Sequence, residues 1–170
     1  IVVSKDYKKA FHWYKKAAEQ EDSDGQFDLG IMFYRGEGFP VDNVQAFSWF
    51  RKAAEKGHHR AQQFLGDMYY YGQGITQDLK QAFYWYKKAA TVQVHPLFLE
   101  KELESIRKAK ARLGIMFYHG EGVTHDFKKA FYWFKLVSEA PFPQAYLAKM
   151  YINGLGVTKD LKQGIYWLKK

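Results

Sequence analysis

Five tryptophans divide this chain at near-regular intervals. Trp13, Trp49 and Trp85 lie 36 residues apart, Trp133 follows after 48 and Trp167 after 34. A glycine pair keeps the same beat: Gly36-x-Gly38, Gly72-x-Gly74, Gly120-x-Gly122 and Gly154-x-Gly156. A period of this length is the mark of stacked supersecondary units, each too small to bury its own apolar face. Length alone, 170 residues, would also allow one ordinary domain, and the period decides against it.

Each unit reads as two helices. Over Ala61–Tyr71, Leu65, Gly66, Met68 and Tyr69 fall on one side at 100° per residue, with Gln63, Asp67, Tyr70 and Tyr71 opposite. Gly66 costs about 1 kcal/mol of helix propensity, so a packing reason is expected, namely close approach of a neighbouring helix. Gly72-Gln73-Gly74 ends the helix, and Asp78 is placed to cap the next one, Leu79–Ala90. There Ala82, Trp85, Tyr86 and Ala89 share a face, with Lys80, Tyr84, Lys87 and Lys88 around the other. The same capping position recurs as Asp6, Asp42, Asp126 and Asp160. The pattern predicts helices over 7–20, 26–36, 43–56, 61–72, 79–91, 97–119, 127–138, 144–153 and 161–170, without strands. Trp49, Trp85 and Trp133 are expected to be largely buried between helix pairs.

The repeated string L-G-x-M-Y-x-x-G-x-G-V, the following D-x-x-x-A-x-x-W and the ending K-A-A-E-x-G resemble the Sel-one-like repeat (SLR), a relative of the tetratricopeptide repeat. Leu29–Gly57 carries it most fully, ending Lys52-Ala53-Ala54-Glu55-Lys56-Gly57; the last copy drifts to Leu147-Ala148-x-Met150-Tyr151. The resemblance implies an all-α, right-handed α-α superhelical solenoid and an adaptor that binds another protein or a peptide in a concave groove. Domain boundaries read as an orphan second helix over 1–25 and repeats over 26–60, 61–107, 108–141 and 142–170. Neither end carries a polar cap, which reads as a segment of a longer array with possible end-to-end contacts. Twelve extra residues between Trp85 and Leu113 read as a backward extension of the third first-helix by roughly three turns. That extension is a longer packed helix or one wall of the groove, with Glu104 positioned to pair with Lys108.

By analogy with the tetratricopeptide groove, the partner-binding candidates are Phe27, Ile31, Tyr34, Arg35, Gln63, Asp67, Tyr70, Tyr71, Ile115, Tyr118, His119, Lys149 and Asn153. Ala111, Ala145 and Ile152 occupy equivalent positions. Tyr and Arg give large contact area with a polar handle, although aromatic rings at helical spacing also serve as packing. The lysines recur mainly on second helices and read as a solvated outer face. Net charge is +8, but no nucleic-acid motif is present and no nucleic acid is expected as partner.

No cysteine is present, which excludes a disulfide framework and a thiolate metal site. Neither H-E-x-x-H nor G-x-S-x-G occurs. His58-His59 is expected to be a solvated turn pair. Glu37 and Glu121 lie in loops about two repeats apart, unsuited to one acid–base pair. No catalytic residue, metal or cofactor is therefore assigned, and the expected function is non-enzymatic. Two alternatives are an immunity-type inhibitor of a secreted bacterial toxin and a hydrolase of cell-wall-like substrates. The second lacks the cysteines of the secreted SLR proteins linked to that chemistry. No apolar run is long enough to span a membrane. The first six residues do not read as a signal peptide, and the compartment is open between cytoplasmic and exported.

Overall fold

A computed structural model describes residues 6–93 and 100–170. Nine α-helices and no strand occur among these residues: α1 (Tyr7–Glu19), α2 (Ser23–Arg35), α3 (Asn43–Glu55), α4 (His59–Tyr71), α5 (Leu79–Ala90), α6 (Glu100–His119), α7 (Phe127–Lys135), α8 (Pro141–Asn153) and α9 (Leu161–Leu168). Odd-numbered helices are second helices through α5; after it, α6 and α8 are first helices and α7 and α9 second helices. The chain divides within α5 into two compact units, residues 1–85 and 86–170.

In the first unit, α1, α2, α3 and α4 pack in sequence, each against the next. Phe27, Phe50, Leu65, Met68 and Trp85 join the alanines of α3 in one core. The second unit repeats the plan, with Ile115, Phe134, Leu147, Met150 and Trp167 around Ala130 and Ala148. Four ties recur in both units, and each answers to residues visible in the sequence.

The first tie is a ring against a glycine. A Cβ on Gly30 would lie 2.7 Å from the Phe50 ring, and one on Gly114 would lie 2.6 Å from the Phe134 ring. The glycine keeps the first helix open to its own second helix, which accounts for the propensity sacrificed inside α2 and α6. In the last repeat Ala148 stands in the glycine position and Leu168 in the ring position, but Leu168 is 63% exposed and does not repeat the buried ring.

The second tie is the glycine-pair loop. Gly36, Gly72 and Gly154 adopt the left-handed conformation and close α2, α4 and α8 by donating to the carbonyls of Met32, Met68 and Met150. The second glycine of the pair lies against the preceding second helix: Gly74 against Asn43 and Gly156 against Phe127, with no room for a side chain. These two loops thereby stack one repeat on the last within each unit. Each glycine-pair loop is fastened by a backbone bond from the coming cap residue, as from Asp42 N to Phe33 O (2.9 Å) and from Asp126 N to Phe117 O (2.9 Å).

Third come the caps themselves. Asp6, Asp42, Asp78, Asp126 and Asp160 each accept a backbone N–H three residues ahead. The fourth tie has no counterpart in the sequence reading. Buried Gln26, Gln62 and Gln144 reach back to the preceding repeat, donating to Ala18 O (3.4 Å) and Ala54 O (3.2 Å) at the ends of α1 and α3 and to Ser138 O (3.0 Å) just beyond α7. Each glutamine lies three residues before the first-helix leucine.

Several expectations are corrected. Only Trp85 and Trp167 are buried, 7% and 6% exposed; Trp49 and Trp133 are half-buried and Trp13 is 61% exposed. The reason is geometric. The residue after Trp49 and after Trp133, Phe50 and Phe134, points at the first helix and is wholly buried. The tryptophan is turned sideways, as Trp49 is toward the end of α1 across a recess lined also by Glu21, Lys52 and Lys56. Helix α8 begins at Pro141, earlier than expected, because proline suits the first helical turn. Helix α7 ends at Lys135, earlier than expected, where Val137-Ser138 replace the Ala53-Ala54 of the complete repeat. Residues 97–99 of the expected third first-helix lie outside the described residues. The described part of α6 exceeds its 13-residue counterparts by seven residues, about 10 Å. Glu104 does pair with Lys108 (3.6 Å), and Arg107 bridges to Glu100 (2.7 Å). Ser105 and Ile106 are buried, so this extension is packed rather than free-standing over that turn.

Burial orders the tryptophans by their effect on stability. Trp85→Ala is expected to cost about 3–5 kcal/mol in equilibrium urea unfolding, and Trp13→Ala less than about 1 kcal/mol. Equal losses at the two sites would contradict the packing described.

Candidate functional site

The first-helix residues nominated from sequence separate into three groups. Phe27, Ile31, Gln63 and Ile115 are interior, 1%, 8%, 5% and 8% exposed, and do not face a partner. A first helix is covered both by its own second helix and by the next first helix, which leaves less free surface than one amphipathic wheel suggests. Phe27 stacks on His58 with centroids 4.5 Å apart and meets Phe50 and Phe64; Gln63 donates to the Asp67 carboxylate.

Tyr34, Asp67, Tyr70 and Tyr118 are half-buried. Tyr34 meets Phe64 of the next first helix edge-on at 5.6 Å, and its hydroxyl donates to Gln73 Oε1 (3.4 Å). Tyr118 meets Tyr146 in the same way at 4.9 Å. These tyrosines are joints between first helices as well as surface. Tyr70 rests on Tyr71, which is 51% exposed.

Arg35, Tyr71, His119, Lys149 and Asn153 are exposed. Arg35 is engaged with Glu37 (3.6 Å), and Asn153 donates to Lys149 O (2.9 Å). In the second unit the exposed residues converge on Tyr146. Its hydroxyl lies 3.2 Å from His119 Nε2, its ring stacks on Phe134 at 4.7 Å, and Lys149 Nζ is 5.8 Å from its centroid. Phe142, half exposed, sits 5.2 Å from the same ring. Burial, then Tyr118 and Glu121, raise the Tyr146 phenol above its ordinary range, so it stays a neutral hydrogen-bonding group. The sequence reading missed Tyr146. Its signal was position: it precedes the first-helix leucine, where Phe64 stands in the second repeat. The result is an amphipathic patch on α6 and α8, with aromatic faces held from behind and an imidazole and an ammonium at its rim.

Among the described residues no cluster of three or more potential metal ligands forms. His58 is not a solvated turn residue. Its side chain is 9% exposed; Nδ1 accepts from Ala61 N (3.1 Å) to cap α4, and Nε2 lies 3.3 Å from Asp24 Oδ1. Burial lowers its pKa to about 4, against the opposing pull of Asp24.

Comparison with known proteins fits this geometry. The Sel1 repeat profile matches residues 2–22, 23–58, 59–91, 107–140 and 144–170. The chain belongs to the Sel1-repeat family. Its all-α repeat-solenoid class follows from the helices described above and from its structural neighbours. A Sel1 repeat protein from Oxalobacter formigenes is 32% identical with a TM-score of 0.83, covering 98% of this chain and 65% of its own. A protective antigen of uropathogenic Escherichia coli displaying an SLR fold is 34% identical with a TM-score of 0.80, covering 94% of this chain and 32% of its own. Cysteine-rich protein B of Helicobacter pylori is 27% identical with a TM-score of 0.54, covering 81% and 90%. This chain therefore spans about a third of the length of the Escherichia coli antigen and under two-thirds of the Oxalobacter protein. The comparison with curated proteins gives no match. Sel1 repeats are generally protein-interaction scaffolds rather than enzymes. No described helix is long and apolar enough to cross a membrane.

His58 makes the first unit acid-sensitive. Its folded pKa lies below the ordinary 6.5, so the unfolded chain binds the proton more tightly. The stabilisation is present above pH 6.5 and is lost as pH falls toward 4. Between pH 7.5 and 5 the loss should be about 2 kcal/mol. His58→Asn, which keeps a capping acceptor without a titrating ring, should flatten that slope in urea titrations. An unchanged slope would contradict the assignment.

Proposed function

We propose that this chain is a non-enzymatic interaction module that holds a protein or peptide on its first-helix surface. The observation that carries the reading is the patch around Tyr146. Two successive first helices supply Tyr118, His119, Tyr146 and Lys149, and the rings are already fixed by one another before any partner arrives. Rigid aromatic groups with polar tips bind with little loss of side-chain freedom, which is the chemistry of interface hot spots. Tyr70 and Tyr71 offer a smaller counterpart in the first unit. Family membership supports a scaffold role. The residues buried beneath the patch support it as positioning groups, not as contacts.

The test is an affinity-captured partner measured against surface variants of the intact protein. His119→Ala with Lys149→Ala should weaken binding by about 2 kcal/mol or more without lowering thermal stability. Tyr70→Ala with Tyr71→Ala should have a smaller effect, and charge reversal at Lys87 and Lys88 almost none beyond a salt-sensitive part. Full affinity in the His119–Lys149 variant would remove the patch as the binding site.

A further inference from the structure

The chain's positive charge is not spread over its length. Residues 1–85 contain 11 Lys and Arg against 11 Asp and Glu, whereas residues 86–170 contain 15 against 7. The entire net charge of +8 belongs to the second unit. Within that unit, α7 and α9 contain no acidic residue at all.

The charge on these two second helices is patterned. Lys128, Tyr132 and Lys135 of α7 follow i, i+4, i+7 spacing, and Lys162, Tyr166 and Lys169 repeat it at equivalent positions in and just beyond α9. That stripe is turned away from the first helices, since Ala130 and Phe134 of α7 are wholly buried on the opposite side. All six residues are exposed, Tyr132 at 57% and Tyr166 at 50%. Lys135 Nζ lies 4.9 Å from the Trp167 ring, which places the two stripes side by side. Among the described residues Lys128, Lys135, Lys162 and Lys169 form no ion pair.

One substitution within the repeat adds an apolar element. Three residues after each tryptophan, the other repeats carry Lys16, Lys52, Lys88 and Lys170. Just past the end of α7 that position is Leu136, 47% exposed and three residues from half-buried Trp133. The face therefore combines unpaired ammonium groups, two exposed phenols and an exposed aliphatic chain.

We infer that the second-helix face of residues 127–170 docks peripherally on an anionic lipid surface. Phosphate headgroups match the unpaired lysines, and Tyr and Trp belong at the headgroup level of a bilayer. Leu136 decides between anionic partners, because an aliphatic side chain gains by entering the acyl boundary and gains little from a sugar–phosphate backbone. The face is also separate from the Tyr146 patch, so lipid docking and partner binding are independent readings.

The experiment is co-sedimentation of the intact chain with vesicles of phosphatidylcholine alone or with one third phosphatidylglycerol. Binding should be at least about tenfold stronger to the anionic vesicles and should weaken with salt. Lys128→Glu with Lys162→Glu should reduce it about tenfold or more, and Tyr132→Ser with Leu136→Ser should reduce it severalfold. Lys8→Glu in the first unit and Lys149→Glu on α8, which change charge elsewhere, should leave it nearly intact. All variants should keep the wild-type thermal midpoint, because every altered side chain is exposed. Inorganic phosphate should displace the protein no more than chloride of equal ionic strength. The proposal is overturned by equal binding to neutral and anionic vesicles. It is also overturned by specific displacement by phosphate, by undiminished binding of the tyrosine–leucine variant, or by lysine-dependent binding of single-stranded oligonucleotides without binding of vesicles.

Discussion

The contact between a first-helix glycine and the ring of its own second helix sets the spacing on which the other ties rely. With Gly30 under Phe50 and Gly114 under Phe134, the two helices of a pair approach closely enough for the ring to be wholly buried. The glycine-pair loop then has a fixed span to cross, and its second glycine meets the preceding second helix. The buried glutamine closes the other side of the unit onto the previous pair. A bulkier residue at the glycine would push the helices apart and disturb all three at once, which is why a costly helix residue is retained there.

The surface available for binding is what this packing leaves over. First helices are enclosed from two directions, so Phe27, Ile31, Gln63 and Ile115 become interior and less of each helix reaches solvent. The tyrosines on these helices have two roles. Tyr34 and Tyr118 fasten neighbouring first helices, and the same contacts hold Tyr118 and Tyr146 in place as a platform. Second helices keep an outer face that neither neighbour covers. Their outer stripe is freer to vary, and in α5, α7 and α9 alike it sets lysines around an exposed tyrosine.

Most of the fold was legible because the repeat states the same residues several times. Helix order, the aspartate caps and the glycine loops all follow from spacing and backbone chemistry. Two things were less visible. Trp49 and Trp133 were credited with the core positions held by Phe50 and Phe134, because adjacent residues can lie on one apolar arc and a single helix wheel cannot say which faces the first helix. The candidate site was harder still. A wheel drawn for one helix treats every position opposite its core as solvent, yet a solenoid buries part of that side under the next repeat. Gln26, Gln62 and Tyr146 owe their roles to inter-repeat contacts, which a reading of one repeat at a time does not contain. His58 reads as a polar turn residue until the stack on Phe27 is known.

The glycine–ring joint of the second unit supplies the means to test the central packing. A double-mutant cycle of Gly114→Ala and Phe134→Leu, followed by urea unfolding, measures the joint directly. Each single change should destabilise the chain. The double variant should be more stable than the sum of the two losses allows, by about 1 kcal/mol or more, because the smaller side chain makes room for the methyl group. Losses that add to within about 0.5 kcal/mol would show that the glycine and the ring do not act as one contact, and the account of the fold built on them would fail.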